Sequence, residues 1–166
     1  MFFFSIDQLA SAQAALDAGR LTEARVLAES GPATAPSAAL LARIYQQLKL
    51  FQRAESAARQ AGQLGATVPA VQHNLALYYA AGGQRKLAAL WEGRFAKSPE
   101  ADSAASLRAA LLYAEMADHA QAIAFGIIAL EKQDRPDLRL LLARAYEATS
   151  KPDHAIVQYR ALLKLR

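Results

Sequence analysis

The chain has 166 residues, no cysteine, and a formal net charge of +4 from 19 basic and 15 acidic side chains interspersed along its length. That length supports a core without metal or disulfide, and the missing cysteine excludes a disulfide scaffold, a cysteine zinc site and thiol chemistry while leaving the redox compartment open. The hydrophobic share of 54% lies mostly in alanine and leucine, with few β-branched residues, which predicts an all-α protein and fits a GC-rich bacterial source.

The N-terminal stretch MFFFSI places Phe2, Phe3 and Phe4 in an apolar tail spanning residues 1–5. It has neither a basic n-region nor a small-residue cleavage site, so a secretory signal is not expected; a cytoplasmic location is favoured, and a periplasmic one stays open for a trimmed chain. The longest apolar runs, such as AIAFGIIAL at 122–130, are shorter than the roughly 20 residues a membrane span requires.

From residue 6 onward the chain repeats itself. The first copy, residues 6–34, is degenerate: Ala12 and Ala15, then Gly19, Leu21 and Ala24 in LDAGRLTEARVLAES, with Gly31-Pro32 cutting its second helix short. In the second, residues 35–68, Ala38, Leu41, Ala42, Tyr45 and Leu48 share one helical face, and Phe51, Ala54, Ala58 and Ala61 line another after a turn. The third, residues 69–102, turns at Gly82-Gly83; the fourth, 103–135, carries Ala110, Tyr113 and Ala122; the fifth, 136–166, turns at Ser150-Lys151-Pro152. Pro36, Pro69, Pro99 and Pro136 separate the units. Tyr45, Tyr79, Tyr113 and Tyr146 are spaced by 34, 34 and 33 residues, and two alanine columns keep the same spacing, Ala42, Ala76, Ala110 and Ala143 before the tyrosines and Ala54, Ala88, Ala122 and Ala155 after them. Small residues in facing columns let paired helices approach closely, and neither helix buries its apolar stripe alone, so stacking of neighbours is expected.

The period, the Leu-Ala-x-x-Tyr run, the turn glycines Gly19 and Gly83, and the alanines five residues later, Ala24 and Ala88, resemble the tetratricopeptide repeat over residues 6–166. The resemblance implies a right-handed α-solenoid of five antiparallel helix pairs, acting in protein binding as a scaffold or adaptor without cofactor. Departures are Lys49, Ala117 and Ser150 at the usual turn glycine, and the absence of the tryptophan early in the first helix. Some members clamp acidic chaperone tails with lysines and asparagines on successive first helices; Asn74 followed by Arg108 is the nearest match, and the lysines are missing.

Catalytic chemistry is not expected. His73, His119 and His154 have no helical zinc spacing, Gly82-Gly83 follows no strand, Ser98, Ser103 and Ser106 read as helix caps, and no nucleophile stands with a base. No block of like charge marks a nucleic-acid footprint, and the adjacent basic pair is Arg85-Lys86. The face opposite the tyrosines carries Leu40, Arg43, Gln47, His73, Asn74, Leu77, Leu107, Arg108, Leu111, Leu140, Leu141 and Arg144. Under the resemblance it lines the concave side, and leucines punctuated by arginines fit an apolar peptide or helix bearing acidic groups; the competing reading packs several of these leucines between adjacent first helices. The ends offer an alternative: Phe2, Phe3 and Phe4, with Ile156 and Leu163 on a last helix that no polar helix caps, fit a self-assembling scaffold, a homo-oligomer.

Overall fold

A computed structural model describes residues 3–165, with side chains from Asp7 onward. Phe2 lies outside the described residues, as do the side chains of Phe3 and Phe4. Every regular element among the described residues is an α-helix, and these form two compact units, residues 1–83 and 84–166. Unit 1 holds α1 (Phe3–Asp17), α2 (Leu21–Ser30), α3 (Ala35–Gln47), α4 (Phe51–Gly65) and α5 (Pro69–Ala81). Unit 2 holds α6 (Arg85–Ala96), α7 (Ser103–Glu115), α8 (His119–Lys132), α9 (Pro136–Ala148) and α10 (Pro152–Lys164).

In unit 1, α1 packs on α2 and α3 on α4, while α3 also meets α2 and α5; in unit 2, α7 packs on α8 and α9 on α10, with α6 against α7 and α8 against α9. The alanine columns account for this nesting. Ala42, Ala76, Ala110 and Ala143, together with Ala54, Ala88, Ala122 and Ala155, are all at most 2% exposed, as are Ala12, Ala15 and Ala24 of the first copy. α2 has only 10 residues and stops at Ser30, where Gly31 and Pro32 follow.

The turns inside the pairs have one backbone solution. Gly19 and Gly83 have φ of +74° and +72°, and Lys49, Ala117 and Ser150, at the equivalent places, have φ of +61°, +58° and +57°. The next residue donates its N–H back across the helix end: Leu50 to the Tyr45 carbonyl at 2.8 Å, Asp118 to Tyr113 at 2.9 Å, Lys151 to Tyr146 at 2.9 Å and Arg20 to Ala15 at 2.8 Å. This is the Schellman arrangement, which satisfies carbonyls that the helix would leave orphaned and requires a left-handed residue in between. In the second, fourth and fifth copies the tyrosine column therefore marks the carbonyl that closes the turn.

Some expectations are corrected. Phe51 does not face inward: as the first residue of α4 it is 64% exposed. The serines are not the caps. Asp102 caps α7 through the Ala105 N–H and Asp118 caps α8 through that of Gln121, while Ser103 donates from within α7 to the Ala129 carbonyl and Ser106 is fully buried. Thr34 and Ser37 form a capping box at α3.

Candidate functional site

The predicted inner-face residues divide between the two units. In unit 1, α3 and α5 bring Leu40, Arg43, Gln47, His73, Asn74 and Leu77 together. Leu40 is buried and so is Asn74, Leu77 is half-buried, and Gln47 is exposed. An Arg43 guanidinium N–H donates to Asn74 Oδ1 at 2.8 Å, and Asn74 Nδ2 donates to the Ala70 carbonyl at 2.9 Å, which sets the amide's orientation toward the arginine. Burial lowers the Arg43 pKa from its ordinary value and the charge of Asp17 opposes this, so the cation is partly desolvated against a neutral partner.

Beside this pair lies an open trough of about 560 Å³, bounded by Leu9 and Gln13 of α1, Pro36 and Leu40 of α3, and Ala70 and Asn74 of α5. The α1 contribution was not among the predicted residues. It was nevertheless accessible: counting back from Ala15, the first copy's equivalent of Tyr45, the offsets that select Leu40 and Arg43 select Ala10 and Gln13, and both line the trough.

In unit 2 the corresponding residues are partly covered. Leu107 and Leu141 belong to a buried cluster with Phe125, Leu138, Leu142 and Tyr146, Leu140 is half-buried, and Leu111 and Arg144 are exposed. Arg108 is engaged: its Nε and a terminal N–H both reach Glu92 Oε1 at 2.8 Å. The Glu92 side chain is 3% exposed, in a column that holds Ala28, Ala58 and Gly126 in other copies. Burial raises its pKa above the ordinary carboxylate range, Arg108 pulls it back, and Asp102 adds to the rise. On α10, Ile156, Val157 and Leu163 are exposed, as is Leu165 just after it.

Among the described residues no three His, Asp or Glu side chains gather as a metal site, and no helix is long and apolar enough to cross a membrane. His154 lies against the Tyr146 ring with centroids 5.0 Å apart.

Paired helices nested on alanines, with left-handed turns one period apart, form an all-α helical-repeat array with a tetratricopeptide-like fold. The chain is similar in fold to solved structures of MamA from AMB-1, with a TM-score of 0.73 at 17% identity over 97% of this chain and 91% of that one. MamA from MSR-1 gives 0.69 at 18% identity over 97% and 95%, and PilF of Pseudomonas aeruginosa 0.69 at 17% over 96% and 75%. Both are proteins of the tetratricopeptide type. No protein-family model and no curated protein matches the sequence.

Proposed function

We propose that the chain is a non-catalytic protein-interaction scaffold or adaptor that seats a peptide or amphipathic helix on the face of its first helices. The observation that carries this reading is the trough of unit 1, which has apolar walls of Leu9, Pro36, Leu40 and Ala70 and whose lining residue Asn74 accepts a hydrogen bond from Arg43. Because Arg43 is hydrogen-bonded to a neutral amide, an incoming carboxylate gains a charge-assisted contact without having to displace another carboxylate from it. Arg144 is the exposed cation on the equivalent face of unit 2, whereas Arg108 is already paired with Glu92. Similarity in fold to MamA and PilF supports a scaffold role.

The test uses two exposed positions, Ala70→Glu in unit 1 and Leu111→Asp in unit 2. A partner captured by the wild-type chain should be lost on the double variant while far-UV circular dichroism stays unchanged. Equal capture by both proteins would remove this reading.

A second reading rests on a separate observation, the exposed apolar row Ile156, Val157 and Leu163 of α10. It makes the chain a self-assembling scaffold, with Phe2, Phe3 and Phe4 as further candidates for the contact. Light scattering over a concentration series decides it: a monomer throughout eliminates self-assembly, and Ile156→Asp should dissolve any oligomer formed through α10.

A further inference from the structure

Three residues after the second alanine of each pair, the later copies carry Ala57, Trp91, Phe125 and Gln158. In the fourth copy that position fills the space beside the tyrosine. Phe125 is buried and lies flat on Tyr113, with ring centroids 5.5 Å apart and planes 2° from parallel. In the fifth copy, Gln158 accepts a hydrogen bond from Arg139 at 2.7 Å. In unit 1 the residue is alanine, and the space beside Tyr45 is an open cleft of about 330 Å³. Its floor is Ala38, Leu41 and Ala57, and its rim includes Arg53, Ser56 and Gln60.

We infer that this cleft is a binding site, distinct from the trough, for an aromatic side chain with a carboxylate beside it, presented by a partner polypeptide. The molecule supplies the template for the ring. At the same distance along the chain from its tyrosine, unit 2 places a phenyl ring in stacked contact, so the Tyr45 face and the apolar floor match an aromatic group supplied from outside. Charge sets the second requirement. Arg53 forms no ion pair among the described residues, whereas the neighbouring Glu29 already accepts from the Tyr45 hydroxyl at 2.8 Å and lies 3.9 Å from Arg25. An arriving carboxylate therefore has a cation to meet at the rim. The volume sits at the low end of the roughly 300–1,000 Å³ of ligand pockets, room for one side chain rather than a large ligand. Because the cleft is open and Arg53, Ser56 and Gln60 are exposed, a ring can enter while the chain that bears it stays outside.

The probe is the blocked peptide acetyl-Gly-Asp-Phe-Gly-amide, titrated into the full chain and followed by amide chemical shifts. Saturable shifts are expected around Tyr45 and Ala57. They should vanish in Ala57→Phe, which fills the cleft as Phe125 does, and persist in the trough variant Ala70→Glu. Arg53→Gln should weaken the Asp-Phe peptide by about three- to fivefold, the worth of one exposed ion pair, and leave an Asn-Phe peptide unchanged. Should Ala57→Phe fail to fold, Tyr45→Leu removes the stacking ring and keeps the floor apolar. No saturable shift, or equal shifts in the filled variant, overturns the inference. Phenylacetate binding as tightly as the peptide would overturn the polypeptide assignment. If Ala57→Phe abolishes concentration-dependent association while the peptide never binds, the occupant is a second copy and the inference also falls.

Discussion

Tyr45 in unit 1 stands beside Ala57 and an open cleft, whereas Tyr113 in unit 2 lies flat on Phe125 in a closed core. The backbones around the two tyrosines are alike: each carbonyl closes a Schellman turn, over Lys49 in one case and Ala117 in the other, and the alanines on either side are buried in both. The repeat is therefore carried by the alanines and the turn. The residue three positions after the second alanine lies outside that requirement, and it leaves the space open beside Tyr45 and fills it beside Tyr113.

The largest effect is expected from giving unit 2 the residue of unit 1. Phe125→Ala should cost about 3–5 kcal/mol, read from denaturant melts, because it deletes a ring that is 3% exposed and stacked on Tyr113. Gly93 leaves room for that ring, since a Cβ there would come within 2.8 Å of Phe125 Cζ. A loss below about 1 kcal/mol, smaller than the usual cost of a core truncation, would show that the two regions differ less than their packing implies.

A smaller effect separates Arg43 and Arg108. Arg108→Met leaves the Glu92 carboxylate buried without its partner and should cost about 2 kcal/mol near neutral pH, while Arg43→Met loses a hydrogen bond to a neutral amide and the attraction of Asp17 and should cost about 1 kcal/mol. The pH dependence carries a definite sign. Glu92 has a folded-state pKa raised above its unfolded value, so its contribution is fully present below the ordinary carboxylate range and is lost as pH rises through the raised value. Arg108→Met removes a charge that lowers that pKa, so its penalty should shrink on acidification, and Glu92→Gln should flatten the profile. Melts across pH that show the Arg108→Met penalty growing toward acid would contradict this assignment.

The smallest effects compare turn with turn. Gly19→Ala should cost about 1 kcal/mol, because a Cβ there meets nothing within 4 Å and the penalty is that of the left-handed backbone alone. In the opposite direction Ala117→Gly should gain about 0.5 kcal/mol, relief of the φ of +58° being partly offset by the greater freedom of glycine when unfolded. Thermal melts of both variants check the pair, and a stabilising Gly19→Ala would mean that the first turn is not held left-handed.

Much of the fold was legible in the chain because its cause is local and periodic. Alanines at a spacing near 34 residues can only be selected by a packing environment that recurs, and Lys49, Ala117 and Ser150, aligned by that spacing with Gly19 and Gly83, share their left-handed backbone. The candidate site was legible as a set of positions but not as a surface. Periodicity reports which side of a helix a residue occupies, not how closely the next helix covers it, so Leu40, Leu107 and Leu141 read the same as Leu111, although the first three are buried and the last is 47% exposed. Phe51 failed for a related reason: helical phase assigned it a face, but at the first turn of α4 no facing residue covers that side chain.

The sequence by itself determined the helical class, the pairing interval and the places where the chain must turn, because these depend on side-chain size and backbone freedom at fixed separations along one chain. Which arginine is spent on a buried carboxylate, as Arg108 is on Glu92, and which tyrosine faces a ring or an empty cleft was decided only in three dimensions. Those outcomes depend on residues brought together from different helices, and a spacing rule contains no information about which side chains meet there or how much water remains between them.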